Sequence, residues 1–172
     1  ELVEQLNDKY PDQILGIAND VRDFEGEQDA LKSIEAKWSH VDVLIANAGL
    51  GHFAPIEELT PEQWNETIDV NLTGVFNSVK ASIPSLKNSK GYIFTIASLA
   101  GTNFFAKGSA YNASKFGLVG FTQAVMMDLR NYGIRVSTVM PGSVATHFNN
   151  NIPDDKDDWK IQPEDLGQMI VD

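Results

Sequence analysis

Tyr111 and Lys115 lie four residues apart, the spacing that places two side chains one turn apart on the same face of a helix. A free phenol titrates at about 10 and exchanges protons poorly at neutral pH. A cation about 4 Å away, at an effective dielectric of about 20, favours the phenolate by about 4 kcal/mol. That corresponds to roughly three pKa units. Desolvation opposes the effect, so the expected net lowering is smaller. The pair suits general acid–base catalysis, although Tyr-x-x-x-Lys also arises by chance.

Ser98 follows an apolar run and can present its hydroxyl at the end of a strand; a simple turn serine would look the same. A serine-hydrolase elbow requires Gly-x-Ser-x-Gly, but Ile96 and Ala100 occupy the glycine positions. Asn71 lies among apolar residues in a helical stretch, where asparagine is a mediocre helix former and costly to bury unpaired. It reads either as a buried amide satisfying backbone groups or as an anchor for a proton-relay water.

These residues need elements to position them. Residues 2–9 read as helix, 14–18 as a short buried strand closing on Asn19-Asp20, and 27–38 as helix. Residues 41–46 form an apolar strand ending at Asn47-Ala48-Gly49. Thr60, Pro61 and Gln63 then supply a capping box and a first-turn proline. The helix they open is expected to stop at Ile83, because Pro84 obstructs it. Residues 92–97 and 135–140 are strands, the second broken by Pro141-Gly142, and a long helix over 109–131 ends before Gly133. Residues 149–160 read as a polar loop, and Pro163 opens a last helix.

Apolar strands alternating with helices predict a parallel sheet buried on both faces. Ligands of such sheets bind at the carboxyl ends of the strands. The clusters Asn19-Asp20, Asn47-Ala48-Gly49, Ser98 and Pro141-Gly142 should therefore share one edge.

Composition excludes several classes. Of 172 residues 42% are hydrophobic and 22% charged, which is ordinary for a globular chain. Thirteen Lys and Arg stand against 24 Asp and Glu, a net charge of −11, which repels phosphate backbones and makes nucleic acid an unsuitable partner. No basic stretch, apolar span or signal-like start is visible, so a cytoplasmic protein without membrane attachment is expected. The chain has no cysteine, which removes thiolate chemistry. His40, His52 and His147 lack metal-ligand spacing, so no metal is expected.

Taken together and in order, Asn47-Ala48-Gly49, Asn71, Ser98, Tyr111 with Lys115, and Pro141-Gly142 through Thr146 resemble the classical short-chain dehydrogenase/reductase family. The resemblance covers nearly the whole chain. It implies a Rossmann-like doubly wound α/β fold, a single domain over residues 1–172, and a homo-oligomer. It also implies hydride transfer between NAD or NADP and a carbonyl or alcohol substrate. Tyr111 would then be the general acid/base and Lys115 the residue that lowers its pKa and holds the nicotinamide ribose. Ser98 would bond the substrate oxygen, and Asn71 would help hold a relay water. Asp20 and Val21 would contact adenine, and Asn47, Ala48 and Gly49 the ribose side. Pro141, Gly142, Val144 and Thr146 would surround the nicotinamide.

The sequence departs from the family in one respect. It contains no Gly-x-x-x-Gly-x-Gly turn of the kind that seats a pyrophosphate at a helix N-terminus, nor the accompanying residue that separates NAD from NADP. The expectation is a partial domain lacking its first βαβ unit, with a gap in the sheet and exposed edges.

Leu50, His52, Phe53, Phe104 and Phe105 are candidates for the substrate pocket, and the acidic run from Asp154 to Asp158 reads as a solvated loop. By analogy the substrate is a small ketone, with 3-oxoacyl thioesters first. An epimerase or dehydratase on the same scaffold, or a non-catalytic cofactor sensor, are the alternatives.

Overall fold

The computed structural model describes residues 2–172. Its helices are α1 (Leu2–Lys9), α2 (Phe24–Trp38), α3 (Pro61–Ile68), α4 (Gly74–Ser89), α5 (Ser109–Leu129) and α6 (Pro163–Val171). Three strands, β1 (Val43–Ala46), β2 (Tyr92–Ile96) and β3 (Arg135–Val139), form a parallel sheet in that order. This is the Rossmann-like α/β arrangement anticipated from the strand–helix alternation.

The register explains which side chains are buried. Leu44 pairs with Ile93 and Ile93 with Val136, so these share one face. That face packs on α4 and α5 through a core of Val75, Val79, Leu86, Ile93, Leu118, Leu129 and Val136. The hydroxyls of Thr95 and Thr122 pair within it at 2.8 Å. Val43 and Ile45 face the other way and remain 49% and 48% exposed. Burial on both faces, expected for every strand, therefore fails for β1.

Residues 14–18, expected as a strand, carry no ladder, and Leu15 and Ile17 are 39% and 40% exposed. An apolar segment becomes a strand only when a neighbour supplies hydrogen bonds. Here a cavity of about 400 Å³, lined by Leu15, Ile17, Ile34, Leu44 and Ile45, separates the segment from β1.

Pro84 does not end its helix, which continues to Ser89. Proline removes one helical hydrogen bond, but the following turn is held by tertiary contacts that outweigh this loss. Leu86 is fully buried, and Ser85 Oγ accepts the Val41 N–H at 2.8 Å. The stretch expected as one helix from Thr60 is instead α3, a π-helical turn over Asp69–Thr73, and α4. The first of these opens on the anticipated Thr60–Gln63 capping box.

Ile93 is fully buried at the centre of the sheet. Ile93→Ala should lower the stability of the full-length protein by about 3 kcal/mol, read from the urea midpoint at unchanged slope.

Candidate active site

The carboxyl ends of the three strands converge on one cavity of about 750 Å³. The end of β1 supplies Asn47, Ala48 and Gly49, that of β2 supplies Ser98, and that of β3 supplies Pro141 and Gly142. Helix α5 adds Tyr111 and Lys115, while Val144 and Thr146 complete the wall. Eight residues expected to contact the cofactor thus line one space with Tyr111, which is expected to act as acid/base and to contact the cofactor as well. Ser98 is fixed by its neighbours: the Ala97 N–H donates to the Val139 carbonyl and the Leu99 N–H to the Pro141 carbonyl. Its hydroxyl also accepts the Ala100 N–H at 3.1 Å.

Asn71 is wholly buried on the π-helical turn. Its Oδ1 accepts the Leu50 N–H at 2.8 Å, and its Nδ2 donates to the Leu50 carbonyl at 2.8 Å and to Ser114 Oγ at 3.0 Å. Two of these three bonds satisfy the backbone of Leu50, and the third reaches the Ser114 hydroxyl.

Burial dominates the titration of the pair. Lys115 is 5% exposed, and its Nζ donates to the Ile96 carbonyl at 2.9 Å. Burial brings its pKa down from 10.5 to about 8. Burial also pushes the Tyr111 phenol up, while a hydrogen bond with Ser98 pulls in the opposite direction. The expected net lowering of the tyrosine by the lysine is therefore overturned. The ammonium lies 5.7 Å from the phenol ring centre and is turned toward a backbone carbonyl, so it does not offset desolvation. At neutral pH the site holds a protonated phenol beside a cation.

Asp20 lies outside this cavity. Its carboxylate accepts the Arg22 guanidinium at 2.6 Å, which holds its pKa at about 2. Val21 lines the second cavity, which shares Asn47 and Ala48 with the first.

Sequence reasoning missed Ser143, His147, Phe148, Asn151 and Lys160 in the cavity wall. They belong to the irregular segment after β3, where no periodicity marks a wall. The acidic run is not simply solvated: Asp157 pairs with Lys160 at 2.6 Å, which lowers its carboxyl pKa. A bridge between Val144 and Ile161 closes the base of the loop. No group of metal-ligating side chains is present among the described residues.

The sequence matches the family described as short chain dehydrogenase over residues 1–157. The chain belongs to that family. The trans-4-hydroxycyclohexanecarboxylate dehydrogenase of Sinomonas cyclohexanicum is 37% identical over 150 residues, 84% of this chain and 58% of that protein. A 3-oxoacyl-[acyl-carrier-protein] reductase from Synechocystis is 34% identical over 141 residues, covering 81% of this chain and 57% of the reductase. The chain thus spans less than two thirds of these curated relatives. Among solved structures, the alcohol dehydrogenase of Thermococcus sibiricus complexed with 5-hydroxy-NADP superposes with a TM-score of 0.90 at 27% identity. That superposition covers 98% of this chain and 72% of the other.

Lys115 gives a test of site burial that does not depend on activity. Between pH about 8 and 10.5 it is neutral when folded and protonated when unfolded, so the unfolded state binds the extra proton and stability rises with pH. Relative to Lys115→Met, the wild type should gain up to about 3 kcal/mol across that window. Urea unfolding at several pH values reads the difference.

Proposed function

We propose that the full-length protein transfers a hydride between a nicotinamide dinucleotide, NAD or NADP, and a carbonyl or secondary alcohol carbon. The observation that carries this reading is the convergence of Ser98, Tyr111 and Lys115 on one cavity with the ends of all three strands. The residues present fit a nicotinamide nucleoside. An added Cβ on Gly49 would sit 3.4 Å from Asn71 Oδ1 and 3.8 Å from Lys115 Nζ, so the glycine leaves a polar recess between them. Asn47, Ala48, Gly49 and Lys115 would hold the ribose side, and Pro141, Gly142, Val144 and Thr146 the nicotinamide side, with Asp20 and Val21 toward the adenine. Likeness to the Thermococcus enzyme, which carries a nicotinamide analogue, supports this placement. The cofactor supplies the hydride.

The protein supplies orientation and the proton. Ser98 bonds the substrate oxygen and aligns it with the phenol. Tyr111, held in its protonated form by burial, delivers its proton to the oxygen as the carbonyl is reduced. Lys115, whose ammonium lies within the same wall, would hold the nicotinamide ribose. This catalytic set touches only the carbonyl carbon and its oxygen, so it leaves a 3-oxoacyl thioester and a simple ketone equally acceptable. Likeness to the Synechocystis reductase speaks for the thioester, and likeness to the Sinomonas dehydrogenase, named for a ring alcohol, speaks for a cyclic ketone.

Residues 1–172 act as one domain in this reading, and the protein is a cytoplasmic homo-oligomer. No described helix is long and apolar enough to cross a membrane. Helices α4 and α5 present Phe76 and Phe116 at 47% and 44% exposure, an apolar surface suited to a second subunit.

Tyr111→Phe in the full-length protein should abolish ketone reduction while leaving NAD(P)H binding, followed by fluorescence, within about twofold of wild type. Retention of more than a tenth of the turnover would remove Tyr111 from the acid role.

A further inference from the structure

Beside the catalytic hydroxyls stands an aromatic cluster that proton transfer does not require. The Phe53 ring centre is 5.3 Å from that of Tyr111 and 5.9 Å from that of Phe105, and Phe148 lies 5.9 Å from Tyr111 on another side. All three phenylalanines stay open, at 44%, 48% and 39% exposure. Half-bare rings converging on a reactive phenol make an apolar receptor surface.

The backbone makes room for these rings at two glycines. A Cβ on Gly51 would fall 2.7 Å from the Phe53 ring and 3.2 Å from the Tyr111 ring, and one on Gly108 2.5 Å from the Phe105 ring, so at both glycines a phenyl ring would have to shift. The third ring is held by a latch. Asn149 Nδ2 donates to the Gly51 carbonyl at 2.8 Å, and its Oδ1 accepts the Gly51 N–H at 3.2 Å. Asn149 adopts φ 54° to do so, a left-handed conformation that asparagine tolerates better than most residues. The pair ties the segment carrying Phe148 to the loop after β1, which carries Phe53.

Two polar side chains beside the cluster are already engaged. Asn112 accepts the Phe105 N–H and donates to the carbonyls of Ala100 and Asn103. His52 pairs with Glu66 at 2.7 Å. A substrate rich in hydroxyls would gain nothing from the phenyl faces it desolvates, whereas an apolar ring would cover them.

We infer that Phe53, Phe105 and Phe148 are specificity-determining residues that select carbonyl compounds bearing an apolar ring, and that Asn149 is a positioning residue for Phe148. The inference rests on the hydride-transfer reading and narrows its substrate class.

The test uses the full-length protein with NAD(P)H and three probes: cyclohexanone, S-acetoacetyl-N-acetylcysteamine and erythrulose. Cyclohexanone should exceed each of the others by about tenfold or more in kcat/KM. Phe148→Ala should lower kcat/KM for cyclohexanone about tenfold more than it lowers that for erythrulose, so that the preference disappears. Asn149→Gly keeps the left-handed backbone but removes both amide bonds, so it should raise the KM for cyclohexanone about fivefold, the scale of one exchanged hydrogen bond. An Asn149→Gly enzyme indistinguishable from wild type would refute the latch. Turnover favouring the thioester or erythrulose would overturn the ring preference while leaving hydride transfer standing. Saturation-transfer NMR of cyclohexanol provides a readout independent of turnover. Binding that weakens in Phe148→Ala, without reduction of any probe, would uphold the aromatic receptor and defeat the hydride-transfer reading. Absence of cyclohexanol binding to the folded protein would defeat the receptor.

Discussion

The site depends on a single buried amide. Asn71 grips both polar atoms of the Leu50 peptide and, through Ser114, the backbone of α5. Three pieces of chain, the π-helical turn, the loop after β1 and α5, are thereby held in one register. A neutral amide suits the position because it both donates and accepts, and an unpaired polar group there would be costly. The wider turn that carries it interrupts α3 and α4, a small loss of helical regularity that brings the side chain to the junction.

Desolvation then governs the chemistry. The same burial that makes Lys115 easier to deprotonate makes Tyr111 harder to ionise, so both groups are driven toward their neutral forms. Any charge generated during proton transfer forms where water is scarce and neighbouring dipoles act strongly.

Much of the site was legible because its residues sit at strand ends and on one long helix, where spacing converts directly into position. The four-residue interval from Tyr111 to Lys115 and the small residues closing β1, β2 and β3 needed only helix and strand periodicity. Residues 14–18 misled because β propensity describes a side chain's fitness for a sheet, not the presence of a neighbour. Pro84 misled because the burial of Ser85 and Leu86 outweighs one missing hydrogen bond. The direction of the tyrosine shift required the depth of burial and the heading of the lysine, and neither is encoded in a four-residue spacing. The contact of Asn149 with Gly51 joins distant irregular segments, so no local pattern announces it. The run Asn149-Asn150-Asn151 signals only a tolerance of left-handed backbone.

The parallel register also shapes how the chain reaches this structure. Every rung joins distant segments, Val43 to Tyr92 and Tyr92 to Arg135, with a complete helical crossover between them. The capped helix α3 can form from local contacts, but no rung can close before its crossover has been brought back over the sheet. Strand pairing is therefore the slow, high-contact-order step. While it is pending, the apolar outer face of β1 lies open to other chains, so the sheet that assembles the site is also the part most exposed to misassembly.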